Sequence, residues 1–193
     1  SNAGVTNTVD DLVGREQFSA DFLEQCNTVR VNNSSCQVYF GIRRGETMPD
    51  IGDLLFTSTA PEFSSDEMRR MDTSSRTFSV YYPKTRPEAP PDHTIVASMN
   101  ANYDDWAALD AEAYRQAKAA MVERCFVDLE RYVPGVRAKV DTVEAATPRT
   151  FHRYTLHTRG TSFGTKFEGL DISRTLHKEI PGLFHVGSVG IIM

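Results

Sequence analysis

One helical stripe dominates the sequence. Between residues 111 and 133, apolar side chains recur three or four positions apart, a spacing that places them on one face of an α-helix. The stripe consists of Ala117, Met121, Cys125 and Leu129, broadened by Tyr114, Val122 and Tyr132. Pro134 and Gly135 follow it, and this pair ends a helix. The sequence therefore predicts one long amphipathic helix over about residues 111–133.

The strand signals are shorter. Apolar and other residues alternate over 36–42, which is typical of a half-buried strand. The remaining strand predictions are 54–56, 78–82, 94–99, 136–140, 151–155 and 182–193, with an extended piece at 5–8 and a short helix near 18–26. Strands and helices do not alternate strictly. We therefore expect an α+β fold, with a mixed, mainly antiparallel sheet of about five to six strands covered by two or three helices.

The composition of the chain excludes some classes of function. The net charge is −5, whereas a nucleic-acid-binding face must be densely basic. No apolar run approaches the roughly 20 residues that span a bilayer. Cys26, Cys36 and Cys125 lack the spacing of a zinc site or a disulfide framework. We expect a cytoplasmic protein that does not bind nucleic acid, with peripheral membrane attachment of the full-length protein as a further expectation.

Signatures of self-contained catalysis are missing from the sequence. The five histidines are scattered, with no pair at the i, i+4 spacing of a helical metal site. There is neither a G-x-S-x-G serine motif nor a G-x-G-x-x-G dinucleotide fingerprint. We therefore predict no catalytic residue, no metal ligand and no cofactor in this chain.

One loop stands out against this background. Tyr154 is followed by Gly160, Ser162, Phe163 and Gly164, so that two glycines flank small polar residues and an aromatic ring. Glycines let the backbone approach a flat ligand on which the ring can pack. The alternative is a glycine-rich hairpin turn. The residues alone leave both open.

Short segments along the whole chain match motifs of one family, in order. They are residues 11–14 (DLVG), 34–42 (SSCQVYFGI), 87–93 (PEAPPDH), 129–135 (LERYVPG), 146–150 (ATPRT), 154–164 (YTLHTRGTSFG) and 180–187 (IPGLFHVG). Together they resemble the substrate-side domain of flavin-dependent oxidoreductases of the phytoene desaturase, carotenoid isomerase and retinol saturase type. Asp92 stands where this family usually has glycine, and Phe163 replaces the usual tyrosine.

The resemblance implies the parts of a larger enzyme. Residues 1–3 would be a tag remnant, 4–186 the substrate-side domain, and 187–193 a truncated strand leading towards an absent flavin-binding domain of the same polypeptide. FAD would belong to that full-length parent, and the isolated chain would be inactive. Gly160, Phe163 and Gly164 would face the flavin, while Tyr154, Ser162 and Phe163 would contact an extended apolar, polyene- or isoprenoid-like substrate.

Two further expectations concern the ends of the chain. The loop 160–164 should lie at one end of the sheet and close to both termini, where the flavin domain would attach. The run 183–193 should lack a partner within the chain and could pair with a second copy, giving a homodimer. An alternative to the enzyme fragment is a non-enzymatic α+β module that binds an apolar ligand or a partner protein.

Overall fold

The structure, a computed structural model, describes residues 1–85 and 92–189. Over those residues it contains seven α-helices: α1 Val5–Asn7, α2 Ala20–Thr28, α3 Tyr103–Ala107, α4 Ala111–Glu130, α5 Val136–Lys139, α6 Pro148–Thr155 and α7 Glu168–Glu179. The strands are β1 Ser34–Ile42, β2 Leu54–Thr57, β3 Arg76–Tyr81, β4 Thr94–Ala101 and β5 Val140–Ala146. A π-helical stretch covers Thr8–Val13, and short 3-10 turns lie at Arg15–Gln17, Glu67–Arg69, Pro83–Thr85 and Thr158–Gly160.

The chain divides into two compact units. The sheet unit comprises Ser35–Thr147, and the helical unit comprises Ser1–Ser34 with Pro148–Met193. The predicted domain of residues 4–186 thus spans both. The proline-rich segment predicted as a loop includes residues 86–91, which lie outside the described residues.

The sheet unit carries the main core. Its five strands run in the order β2-β3-β4-β1-β5, and the β1–β5, β2–β3 and β3–β4 ladders are antiparallel. Alternate strand residues point to one side, where Phe40, Phe78 and Ile95 are fully buried. The predicted α+β class and mainly antiparallel sheet of about five to six strands are confirmed, with five strands in the described residues. The described residues contain seven helices rather than two or three, and β5 was not predicted.

Helix α4 covers that buried side of the sheet with the predicted stripe. Its first turn is capped by the Asp110 carboxylate, which accepts hydrogen bonds from the amides of Glu112 and Ala113 at 2.9 and 2.8 Å. The Phe126 ring meets the Phe40 ring edge-to-face, with 4.7 Å between centroids. The helix ends at Glu130, slightly before the predicted boundary.

A smaller apolar cluster holds the helical unit. Its buried members are Val5, Val9, Phe18, Phe22, Ile172 and Leu176, contributed by the amino-terminal segment, α2 and α7. Helix α2 confirms the short helix predicted near residues 18–26. It is capped by the Ser19 hydroxyl, which accepts from the Phe22 amide at 3.3 Å.

Two predicted strands are helical instead. Residues 136–139 form α5, because Val136 and Val140 are also one helical turn apart and Gly135 turns the chain with φ +75°. Residues 148–155 form α6, which begins at Pro148. Proline is favoured at the first helical position because its fixed φ suits a helix and no amide donor is lost there.

Other expectations were wrong in the helical unit. Residues 5–8 are helical rather than extended, and α7 was not predicted although Ile172 and Leu176 have helical spacing. The expected strand 182–193 is, over its described part, an irregular tail with a single bridge at Val189. Residues 190–193 lie outside the described residues.

Candidate functional site

The sequence-predicted loop, residues 160–164, lies in the helical unit. It follows α6 and the 3-10 turn Thr158–Gly160, and it runs antiparallel to residues 31–34 through bridges Ser34↔Thr161 and Val31↔Thr165. The Asn32 amide donates to the Gly164 carbonyl at 2.9 Å. Because a helix and not a strand precedes the loop, the hairpin alternative is wrong.

Both glycines of the loop are required by packing. Gly160 and Gly164 have φ of +56° and +66°. A Cβ on Gly160 would lie 2.3 Å from the Pro148 carbonyl oxygen, and one on Gly164 would lie 1.8 Å from the Ser188 carbonyl oxygen. The chain's own backbone therefore fills the space beside each glycine that a flat ligand would use. The flavin-facing role of Gly160, Phe163 and Gly164 stays a prediction.

The predicted substrate residues differ in exposure. Tyr154, in the last turn of α6, is 75% exposed, whereas Ser162 and Phe163 are half-buried. Within the helical unit the loop lies close to the amino-terminal residues and to residues 188–189, as expected, while its place at one end of the sheet stays a prediction. Gly164 and Val5 line one small cavity, and Thr165 pairs with Val189.

The tail has contacts within its own unit, contrary to expectation. Val189 bridges Thr165, and Leu183 packs against the small apolar cluster. The claim that residues 183–193 have no partner is therefore wrong for residues 183–189, because the segment around Gly164 and α7 supply neighbours. Self-association of the chain remains a prediction.

The described residues include possible metal ligands and three thiols. Within residues 1–85 and 92–189, no group of three or more His, Cys, Asp or Glu side chains is placed to hold a metal ion. All three cysteines are free, and burial raises the pKa of Cys26 to about 11. A thiol with so high a pKa carries little thiolate at neutral pH and is a poor nucleophile.

The sheet unit contains an open groove that was not predicted from the sequence, and we call it the Phe56 groove. It has a volume of about 430 Å³ and lies between the outer side of strands β2, β3 and β4 and the chain segment that joins β2 to β3. Its lining includes Phe56, Phe63, Met68, Thr77, Ser98 and Asn100. Small-molecule sites typically measure about 300–1,000 Å³.

The strand register explains why apolar side chains line this groove. Leu55 lies opposite the buried Phe78, so Leu54 and Phe56 point to the other side of the sheet. Phe56 is 74% exposed, and Phe63, on the connecting segment, is 84% exposed. Exposed large apolar side chains in one concave place mark a binding site more often than scattered ones do.

A sequence signal for the groove did exist. Leu54, Leu55 and Phe56 make β2 apolar on both faces. Only one face of this strand can reach the core under α4, so the other must meet solvent or a ligand. The second apolar face of residues 54–56 therefore indicates a surface outside the core.

The Glu67 carboxylate fixes one wall of the groove. It accepts hydrogen bonds from the Ser74 amide, the Thr73 hydroxyl and the Ser75 hydroxyl, each at 2.9 Å. Partial burial raises the pKa of Glu67, but these bonds and that from the Ser74 hydroxyl outweigh burial and hold it below its ordinary value of 4.5. The connecting segment is thereby tied to the start of β3.

Hydroxyl and amide groups line the floor of the groove. Thr77 on β3 and Ser98 on β4 are directly opposite each other. Asn100 lies two residues after Ser98, on the same side of β4. The single tryptophan, Trp106, is buried nearby and shares a small adjoining cavity with Met99 and Asn100. The groove therefore combines an apolar wall with a few hydrogen-bonding groups, as small-molecule sites do.

Neither models of known protein families nor curated proteins match this chain. Among the described helices, none has the length and apolar character needed to cross a bilayer.

Proposed function

We propose that this chain is the substrate-binding part of a flavin-dependent oxidoreductase and that the Phe56 groove holds an extended apolar, polyene- or isoprenoid-like substrate. The observation that carries the proposal is the open groove of about 430 Å³, walled by Phe56, Phe63 and Met68. The motif resemblance supplies the reaction class.

The role of the chain's own residues would be to bind and orient. Phe56 and Phe63 would remove the substrate's apolar surface from water, which contributes roughly 25 cal/mol for each Å² buried. Ser98 and Asn100 would fix a polar group of the substrate by hydrogen bonding. Hydride transfer would be supplied by FAD held in a flavin-binding domain of the full-length parent.

The proposal is tested with a conjugated-polyene fatty acid, cis-parinaric acid, added to this chain. Its absorption overlaps tryptophan emission, so binding in the groove should quench Trp106 fluorescence by energy transfer. Phe56→Ser and Phe63→Ser should each weaken binding about fivefold to tenfold, because each removes an aromatic contact. Leu12→Ser is the matched control, since Leu12 is 65% exposed and lies in the helical unit.

Two results would contradict groove binding. One is the absence of any parinaric acid binding. The other is equal affinity in the Phe56→Ser variant and the unchanged chain.

A non-enzymatic binding module remains the alternative, because the Phe56 groove alone would serve it. The two proposals differ in the full-length parent. The oxidoreductase proposal expects a bound flavin in the parent. In desaturation the substrate would give a hydride to the flavin and bleach its absorbance, and in saturation a chemically reduced flavin would give a hydride to the polyene and regain its absorbance. A parent protein without flavin would favour the binding module.

A further inference from the structure

The Phe56 groove carries an excess of negative charge. Among the described residues, the charged side chains in its lining are Glu62, Glu67 and Arg76. The positive charge of Arg76 is compensated inside the protein, because its Nε atom lies 2.9 Å from the Asp128 carboxylate and only 2% of its side chain is exposed. The two glutamates remain. Negative charge in a concave apolar site attracts cationic ligands and repels anionic ones.

The segment that joins β2 to β3, residues 58–75, does not neutralise these glutamates. Its two arginines have other acidic partners, since Arg69 pairs with Asp66 and Arg70 pairs with Asp72. Glu62 and Glu67 are therefore left without an ion pair on this segment. Hydrogen bonds from the start of β3 hold the pKa of Glu67 below its ordinary value, so its charge is kept at neutral pH. Glu62 is exposed, so its carboxylate is accessible to a ligand.

Two exposed aromatic rings accompany the Glu62 carboxylate. Phe63 follows Glu62 directly in the sequence, Phe56 lies on β2, and all three residues line the groove. The Phe56 and Phe63 side chains are 74% and 84% exposed. The face of an aromatic ring attracts a cation through its quadrupole, and a carboxylate attracts it through its charge. A groove with both features suits a ligand that has an apolar body and a cationic end.

We propose that the Phe56 groove selects a cationic amphiphile, an extended apolar molecule whose ammonium group lies between the Phe63 ring and the Glu62 carboxylate. This rests on the proposed function, because it names the class of molecule that the same groove binds. An anionic molecule of the same shape would match the apolar wall but would be repelled by the two glutamates. A neutral molecule would gain nothing from Glu62.

The test uses three probes that share one conjugated body, diphenylhexatriene. One carries a trimethylammonium group, one carries a propionic acid group, and one is unsubstituted. Each probe becomes fluorescent in an apolar site, so titration with this chain gives three dissociation constants. At pH 7 and low salt, we expect the cationic probe to bind about tenfold more tightly than the anionic probe, with the neutral probe between them. Added salt should reduce this difference, because Glu62 is exposed.

Substitution of Glu62 identifies the carboxylate that sets the preference. Glu62→Gln should reduce the tenfold preference to about threefold, and Glu62→Lys should reverse it, while the neutral probe keeps its affinity within about twofold. The matched control is Glu24→Gln, which changes the net charge by the same amount as Glu62→Gln. Glu24 is exposed on α2 in the helical unit, so this control should leave all three affinities unchanged.

Phe63→Leu separates recognition of the cation from burial of apolar surface. Leucine keeps an apolar side chain at this place but has no ring face. The cationic probe should therefore bind about threefold more weakly, while the affinity of the neutral probe changes by less than about twofold.

The outcomes distinguish this proposal from the proposed function. If the three probes bind with equal affinity, the groove binds apolar molecules as proposed, but selection of a cation is overturned. A full preference for the cationic probe in Glu62→Gln, or an equal loss of preference in Glu24→Gln, also overturns it. If none of the three probes binds, both proposals fail.

Discussion

The Arg76 Nε atom lies 2.9 Å from Asp128 Oδ2 and links β3 to α4 inside the sheet unit. The side chains of Arg76 and Asp128 are only 2% and 15% exposed, so the pair is almost entirely removed from water. The Nε contact is ionic rather than a well-aligned hydrogen bond. The same guanidinium donates to the Thr73 carbonyl at 2.8 Å and to Cys125 Sγ at 3.3 Å.

Breaking this pair should destabilise the sheet unit strongly. Asp128→Asn should lower the free energy of unfolding by about 3–5 kcal/mol, because it leaves the Arg76 charge buried without its counter-ion. Urea denaturation followed by Trp106 fluorescence measures this, since Trp106 is buried in the same unit. Asp66→Asn is the control and should cost less than about 1 kcal/mol, because the Asp66 side chain is 89% exposed in its pair with Arg69. Equal effects of the two substitutions would contradict this account.

Gly164 should tolerate no side chain. Gly164→Ala combines a positive φ with a Cβ placed 1.8 Å from the Ser188 backbone oxygen, so it should cost more than about 3 kcal/mol. Gly182→Ala is matched to it, since Gly182 is in the same unit with φ +86° but has nothing within 4 Å of the place where a methyl group would lie. It should cost only about 1–2 kcal/mol of backbone strain. Hydrogen exchange of the α7 amides would measure the loss of stability in both variants. Similar protection in the two variants would show that the tail does not pack on Gly164.

Stability of the groove wall should depend on the ionisation of Glu67. Because the folded pKa of Glu67 lies below its ordinary value of 4.5, its contribution is present in full above pH 4.5 and is lost as pH falls through the folded pKa. Glu67→Gln should lower the free energy of unfolding at pH 7 by about 1–2 kcal/mol, since it weakens charge-assisted hydrogen bonds. The difference between the variant and the unchanged chain should shrink as pH falls below 4.5.

Glu62→Gln provides the control for that measurement. Glu62 is exposed on the same connecting segment, so its loss should have little effect on stability at any pH. A Glu67→Gln variant with the same pH dependence as the unchanged chain would show that the Glu67 carboxylate does not stabilise this wall.

The α+β class, the long helix α4 and strands β1 to β4 could be predicted from the sequence, whereas β5 at Val140–Ala146 was not. These elements follow from local periodicity. Met121, Cys125 and Leu129 lie on one buried face only if their segment is a helix, and the alternating residues around Phe40 do so only if theirs is a strand. Runs as short as residues 136–140 and 151–155 fit the spacing of a strand and also that of a helix. In both cases a neighbouring residue, Gly135 or Pro148, favours the helix.

Which residues can meet a ligand depends on contacts between distant parts of the chain. Phe56 lines the groove because β2 pairs with β3 in the register that places Leu55 opposite Phe78. A shift of that register by one residue would point the Phe56 side chain towards the core. Gly164 is required because the distant Ser188 backbone packs on it, and Leu156 is exposed because its turn is fixed by Asn7. The contacts of Gly164 with Ser188 and of Leu156 with Asn7 join residues apart in the sequence, so no local pattern encodes them. For Phe56, the apolar run 54–56 indicates that both faces of β2 are apolar, but only the pairing with β3 selects the face that meets the groove.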